Sequence, residues 1–492
     1  MNNINENNKK SEYKKKEDNK GLTIKKLDDF GEWYNQLVIK SEIADFGYVK
    51  GTIVIRPRGY SIWQKIIDYF NINIIKKYDI MNAYFPLFIP ESFFEKEKEH
   101  AQGFSPEVAW LSNRDEENGE RLAIRPTSET IIYDSYSKWI RSHRDLPLRI
   151  NQWCNVVRWE TKATKIFIRG REFLWQEGHS VFASKEEAEN DTLNMIKEYK
   201  KLCDDLLSIP VLIGKKSNLE KFAGADHTYA IEAFMPDGKA LQMGTSHNLG
   251  QAFAKSFNIS YLGKDGKEHY PYQNSWGLST RLIGATIMIH SDDKGLVLPP
   301  RVCNNKVVVV PIIFEDSKEK VIKKCRSIIN DLSDYNPIFD DRDEYSSGYK
   351  FNDWELKGIP IRIEFGPTDL EKDQAVVVRR DNLKKEIIKL KDLKKEIVKL
   401  LDDIQDNLYQ QAKKQLKNSI AEVDNYEEFK KALENKRLIH AFWCEKDECE
   451  IKIKEETGAT TRCITFDEQE HKGKCVYCGK STKTKIYFSK SY

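Results

Sequence analysis

Arg158-Trp159-Glu160 opens the stretch whose reading decides the fold. A polar, Thr/Lys-containing run from Thr161 to Ile168 follows, and then Arg169-Gly170-Arg171-Glu172-Phe173. Farther along stands Asn274-Ser275-Trp276-Gly277-Leu278-Ser279-Thr280-Arg281. The pattern predicts an arginine fixed at a strand end, a basic hairpin, and a Gly/Ser/Thr-rich strand ending in another arginine. Such a set suits a nucleoside triphosphate. Phosphate needs a rigid cationic fork, and arginine offers planar bidentate donors that stay charged. A lone arginine is more often a surface ion-pair partner; the ordered set carries the reading.

The 492-residue chain is too long for one compact core, so roughly two to four domains are expected. Hydrophobic residues make up 40% and charged residues 32%, which suits a soluble chain with a heavily solvated surface. A net charge of +3 neither demands nor excludes a nucleic-acid partner, so any basic face has to be local. No apolar run approaches the roughly 20 residues that cross a bilayer, and the N-terminal stretch has no apolar core for export. Glu6, Glu12, Glu17 and Asp18, with no arginine before Arg56, argue against a mitochondrial transit peptide. A cytoplasmic setting is expected, in which the nine cysteines are reduced thiols or metal ligands.

Residues 1–25 are Asn/Lys/Glu-rich and read as a disordered tail. Within 26–300, apolar positions from Ile62 to Ile74 predict a helix over Ser61 to Lys77, and Asn82 to Pro90 reads as a strand that Pro86 ends or places at an edge. Near residue 300 the texture changes. Val307–Phe314 reads as a buried strand, a helical pattern runs through Val321 to Leu332, and strand candidates follow at Ile361–Glu364 and Ala375–Arg379. This order predicts a small α/β domain with a mixed sheet over 301–405. The helix from Leu393 to Leu416 is apolar on one face and is expected to pack on that core.

The remaining segment, 406–492, holds Cys444 and Cys449, then Cys475 and Cys478. Two close-spaced pairs can converge on one tetrahedral centre, and thiolates at such spacing suit structural Zn²⁺. Gly479 provides the turn that a ligand knuckle needs. Four ordinary thiols or a redox pair is the alternative. Cys463, between the pairs, is expected to be no ligand.

The arginine stretches are similar to motifs two and three of the class II aminoacyl-tRNA synthetases, and the surrounding text resembles the prolyl-tRNA synthetases of the archaeal/eukaryote-like type. The resemblance covers about residue 26 to Tyr492. It implies an α+β fold with three parts. The first is a class II antiparallel-sheet catalytic domain over 26–300, the second an α/β anticodon-binding domain over 301–405. The third is a small C-terminal zinc-binding α+β domain over 406–492. The activity implied is ligation of L-proline to tRNA(Pro) with ATP and Mg²⁺, by a homodimer whose interface the helix-strand pair around Pro86 builds. At the matching positions it implies Arg158 and Arg281 as catalytic. Arg158, Glu160, Arg169, Gln242, Thr245, Ser279 and Arg281 would hold ATP, with Glu160 ordering either adenine or Mg²⁺. Thr127, Glu129, Arg158, Trp175, Phe222, His247 and Ser275 would hold proline. An aromatic box with one carboxylate suits a compact, mostly apolar imino acid. Taken alone, His247 reads as a satisfied core histidine, and the aromatic residues as core.

Lys350, Phe351 and Glu355 are expected to be exposed between strands of the anticodon domain, where they can stack on and hydrogen-bond splayed bases. A solvated loop is the alternative. A tRNA-touching arm is the sharper reading of the N-terminal tail. Tails like Phe488-Ser-Lys-Ser-Tyr492 bring a terminal carboxylate near the site in this family. Only 121 positions separate Glu160 from Arg281, too few for the editing domain that bacterial-type enzymes carry there. No hydrolysis of alanyl-tRNA in cis is therefore expected. Two other readings compete. A threonyl-type enzyme would put zinc in its pocket through Cys and two His, whereas the paired cysteines here lie far from the arginine motifs. A non-catalytic RNA-binding or regulatory protein on the same fold would be expected to lose the phosphate arginines.

Overall fold

The computed structural model describes residues 21–98, 108–115, 119–159, 164–466 and 472–492. Glu160 and the N-terminal stretch 1–20 lie outside them. The described residues form two compact units. One takes Phe46–Ile53, Ile67–Ala285 and Lys413–Tyr492; the other takes the described part of Met1–Asp45, Val54–Ile66 and Thr286–Ala412.

The first unit is built on an antiparallel sheet. Its strands are β1 (Leu148–Val157), β2 (Glu172–Phe182), β3 (Leu212–Lys215), β4 (His227–Phe234), β5 (Lys239–Gly250) and β6 (Tyr272–Ser279). The spatial order is β1-β2-β6-β5-β4-β3, every pair antiparallel. Helix α1 (Glu129–Trp139) and helix α2 (Lys185–Asp205) flank it. Ser184 begins α2 with a reciprocal capping box to Glu187. Ala188, Met195, Ile196, Tyr199 and Leu202 of α2 are buried, as a helix covering one sheet face requires. Tyr199 crosses from this helix to donate to Gln176 Oε1 at 2.6 Å.

The sheet runs on into the C-terminal segment. A last strand, β7 (Lys485–Ser491), lies parallel to the start of β5 and antiparallel to Leu438–Phe442. Helix α3 (Asp447–Thr457) and the strand pairs at Thr460–Thr461 and Ile464–Thr465 complete this part, and Ile464–Thr465 pairs with β3. The segments 26–300, 301–405 and 406–492 therefore do not coincide with the two units, because backbone pairing joins 413–492 to the central sheet.

The second unit holds a five-stranded sheet of order Ile338–Phe339, Val307–Pro311, Ile361–Phe365, Gln374–Arg379, Lys385–Lys389. The first two pairings are parallel and the last two antiparallel, a mixed sheet as the element order implied. The long helix Leu393–Ser419 buries Leu393, Ile397, Leu400, Leu401, Ile404 and Leu408 in this core.

Three local expectations need correction. The helix expected over 61–77 begins at Pro57, whose missing N–H costs nothing in a first turn, and after Phe70 it loosens into a π-turn over Asn71–Ile75. The run 82–90 is not one strand; Met81–Asn82 and Phe88–Pro90 belong to different sheets, and Pro86 between them cannot donate to a ladder. Lys350, Phe351 and Glu355 are not an exposed loop but part of the helix Ser347–Lys357. Lys350 is buried and donates to Asp340 O, Glu355 accepts from Arg362 at 2.9 Å, and Phe351 lies under the Arg362 guanidinium at 4.4 Å. Lys350 and Glu355 are thus engaged internally and do not present the exposed groups expected for anticodon bases.

One glycine shows how tightly the central sheet is packed. A Cβ on Gly178 of β2 would meet the ring of its cross-strand partner Trp276 at 2.1 Å, and that ring is buried. Gly178→Ala is expected to destabilise the folded protein by about 1–3 kcal/mol, read as a lower denaturation midpoint in urea. An unchanged midpoint would contradict this packing.

Candidate active site

Side chains of a strand alternate between faces, so residues two apart share one. On β2 these are Trp175, Glu177 and His179; on β6, Ser279, Gly277 and Ser275; on β5, Thr245 and His247. Strand pairing sets them in rows. Ser275 stands between His179 and His247, and Gly277 between Glu177 and Thr245. The rows form one wall of a cavity of about 310 Å³, also lined by Thr127, Glu129, Arg158, Phe222, Gln242 and Arg281. Most of the expected site residues, placed far apart in the chain, thus meet at one cavity.

Arg158 follows β1, and its backbone N–H donates to Arg171 O at 2.8 Å, closing the base of the hairpin. Its Nε donates to Pro126 O at 3.1 Å, and its guanidinium lies 5.5 Å from the Phe173 ring and 5.7 Å from Trp175. The two rings, set edge to face with centroids 6.2 Å apart, flank the guanidinium without taking away its charge. The hairpin tip closes through reciprocal Lys165–Arg169 backbone bonds of 2.9 Å. Ile166, Phe167 and Ile168 are buried there, so the expected polar run hides an apolar tip.

Arg281 sits where β6 passes into a helix. It donates from Nε to Ile168 O at 3.2 Å and from Nη1 to Gln242 O at 3.0 Å. Burial, together with repulsion from Arg158 and Arg169, pushes its pKa down to about 10, so it remains a cation at neutral pH. Arg169 does not line the cavity but acts on Arg281 through its field.

The opposite part of the cavity is acidic. Glu177 accepts from Gln152 Nε2 at 2.9 Å and from the Ser128 hydroxyl, and lies 3.2 Å from His179 Nε2. His179 Nδ1 meets the Tyr133 hydroxyl at 3.1 Å. Burial opposes ionisation of Glu177, but His179, Ser128 and Gln152 outweigh it and hold this carboxyl below its usual range. Glu129, bonded by the Thr127 hydroxyl, is shifted the other way, first by burial and then by the Glu177 charge. Two carboxyl groups sharing a buried space split in this way, one held ionised and the other raised.

His247 stacks on Phe222 at 4.7 Å, and its Nδ1 meets Thr228 Oγ1 at 2.9 Å. Burial and the nearby His179 push it down to about 3, so it is a neutral wall and not an acid or base. Glu177, His179 and Thr228 were not singled out from sequence. The signal for the first two was there: they share the face of Trp175 at positions two and four residues on.

At the C-terminal end, Tyr492 donates its N–H to Ala240 O and its hydroxyl to Asp237 at 2.5 Å, and Lys165 and Lys239 face its ring. Apart from the cavity, the Sγ atoms of Cys444, Cys449, Cys475 and Cys478 lie within 4.8 Å of one another. The Cys444–Cys449 and Cys444–Cys478 separations are 3.5 and 3.7 Å. A tetrahedral centre with metal–sulfur bonds of ~2.3 Å sets sulfurs about 3.8 Å apart, so the group fits one ion. Gly479, at φ +72, makes the expected left-handed turn, and Cys463 is buried outside the group.

Comparison with known proteins bears on this arrangement. The class II tRNA synthetase core domain (G, H, P, S and T) matches residues 110–290, an anticodon-binding domain matches 306–400, and the C-terminal domain of prolyl-tRNA synthetase matches 426–492. Proline–tRNA ligase 2 of Clostridioides difficile is 48% identical over 469 residues, 94% of this chain and 97% of that one. The proline–tRNA ligase of Alkaliphilus oremlandii is 49% identical over 467 residues, with 94% and 96% covered. The crystal structure of prolyl-tRNA synthetase from Cryptosporidium parvum with L-proline and AMP superposes with a TM-score of 0.91. It is 42% identical and covers 97% of this chain and 98% of that one. With its arginines and its paired carboxyl groups meeting on one face of an antiparallel sheet, the chain belongs to the prolyl-tRNA synthetase family of class II.

Proposed function

We propose that the cavity activates L-proline with ATP and that the enzyme then transfers the prolyl group to the 3′ end of tRNA(Pro). The observation that carries this is one cavity with fixed guanidinium groups at one part and a buried carboxyl pair at the other. Activation joins the proline carboxylate to the α-phosphorus of ATP as pyrophosphate leaves. Two anions must meet, and charge builds on the phosphorus.

Arg158 is assigned to both anions, the α-phosphate and the substrate carboxylate, cancelling their repulsion. Arg281 is assigned to the phosphates or adenine, with Gln242, Thr245 and Ser279 along the same wall, and Arg169 to the outer phosphates. Glu129 and Thr127 would receive the secondary ammonium, with Glu177 holding charge behind them. Trp175, Phe222, His247 and Ser275 would enclose the ring. Mg²⁺ would supply charge neutralisation at the phosphates, and Glu160, outside the described residues, is assigned to adenine or to that ion. A non-catalytic reading finds no support in this cavity, which retains both lining arginines.

The functional division into 26–300, 301–405 and 406–492 draws on the three family matches. A homodimer draws on exposed Met81, Tyr84 and Phe88 near Pro86. No described helix is long and apolar enough to cross a membrane, and none of the nine cysteines is in a disulfide. We assign the enzyme to the cytoplasm, with one structural Zn²⁺ held by Cys444, Cys449, Cys475 and Cys478. A closed four-sulfur site leaves no open position for substrate.

Three experiments test these assignments. Arg158→Ala is expected to lower proline-dependent ATP–pyrophosphate exchange by about 10²-fold or more while the protein stays folded; near-normal exchange would remove its role. Because Glu129 is raised, it is neutral at low pH and ionised as pH climbs, and only the ionised form pairs with the ammonium. The KM for proline should therefore rise as pH falls, and Glu129→Gln should raise it by about tenfold or more and flatten that dependence. A pH-independent wild-type KM would refute the pairing. Metal analysis should find about one zinc per chain, lost in Cys475→Ser; a variant that kept its zinc would overturn the ligand set.

A further inference from the structure

One buried ion cluster has no part in the scheme above. Glu232 on β4 is 2% exposed, and Lys216 and Arg462 are buried with it. Arg462 Nη2 donates to Glu232 Oε1 at 2.9 Å and Oε2 at 3.0 Å, and Nε reaches Oε2 at 3.3 Å. Lys216 Nζ adds a bond of 3.1 Å to Oε1. Lys216 Nζ also lies 4.0 Å from Glu220 Oε2, so two cations and two carboxylates make up the cluster, and the short contacts converge on Glu232. Arg462 is itself fixed, since its Nη1 donates to Thr460 Oγ1 at 2.8 Å and its backbone N–H to Tyr487 O at 2.7 Å.

The cluster adjoins the cavity through the sheet. Glu232 is the cross-strand partner of Gln242, whose carbonyl oxygen accepts from Arg281. Glu232 also attracts the Arg281 cation, while Arg158, Arg169 and Arg462 repel it. A carboxylate this near, if left unclamped, would compete with a phosphate for the same guanidinium in a medium that screens charge poorly.

We infer that Arg462 is a positioning residue for ATP: with Lys216 it clamps Glu232, so that this carboxylate does not draw Arg281 away from the triphosphate. The inference rests on the proposed activation reaction and extends it to the C-terminal segment. It gives residues outside the catalytic core match a share in the electrostatics of the ATP site.

The test is ATP–pyrophosphate exchange by the full chain, with ATP and proline varied separately. Arg462→Met should raise the KM for ATP by about tenfold and that for proline by less than about twofold, because Glu232 keeps Lys216 but loses its bidentate partner and is freer to attract Arg281. Arg462→Lys should fall between the variant and wild type. Glu232→Gln combined with Arg462→Met should bring the KM for ATP back to within about threefold of wild type, since no stray carboxylate then remains. A merely structural role would lower the melting temperature without this split between substrates. An unchanged KM for ATP, an equal rise for both substrates, or a double variant no better than the single one would each overturn the inference. Should Arg462→Met not fold, Arg462→Lys with and without Glu232→Gln decides by the same criterion. Calorimetric ATP affinity reads the clamp even if wild type shows no proline-dependent exchange, an outcome that would sink the functional reading alone.

Discussion

Guanidinium groups that act on one another are the constraint on which the site depends. Arg158 and Arg169 repel Arg281, whose burial adds to the cost of its charge. Arg281 records the cost in a pKa brought down to about 10. The arrangement holds because acceptors without mobility face each cation: Pro126 O for Arg158, and Ile168 O and Gln242 O for Arg281. An entering polyanion would relieve the repulsion, and donors fixed beforehand are the condition under which charges stabilise a developing negative charge well.

The acidic part of the cavity follows the same logic with opposite sign. Two carboxyl groups share a buried space and cannot both ionise easily, so His179, Ser128 and Gln152 favour charge on Glu177 and leave Glu129 raised. A bound ammonium would tip Glu129 toward its ionised form. Anion-seeking and cation-seeking groups thus line one cavity, which suits a zwitterion whose carboxylate must face phosphate.

The antiparallel sheet makes both possible. Its register turns alternation along each strand into rows across strands, so that Ser275 stands between two histidines and Gly277 leaves room between Glu177 and Thr245. The sheet does not end with the catalytic segment. The last strand of the chain lies along β5, and through this continuity Arg462 comes to lie against Glu232.

Much of this was legible in the residues themselves. The order of Arg158, Arg169 and Arg281, the Thr127–Glu129 segment and the cysteine spacings pointed to their partners because charge, ligand chemistry and motif spacing are local properties. Strand alternation from Trp175 would have reached Glu177 and His179 as well. Other features had no local signature. Lys350 and Glu355 looked like solvated loop residues, yet they lie on a helix, where Lys350 donates to the Asp340 carbonyl and Glu355 accepts from Arg362. Composition cannot foresee such a match, because burial of a charge depends on partners that only folding supplies.

The chain by itself therefore determined the chemistry on offer: which groups carry fixed positive charge, which can titrate, and which thiols can share an ion. Tertiary structure alone decided which of them act together. Strand pairing brings Glu232 beside Gln242, and folding of the C-terminal segment sets Arg462 against that carboxylate. The physical reason is distance: electrostatic and hydrogen-bond energies act over a few ångströms in space, and separation along the chain carries no information about that until the backbone has closed its sheet.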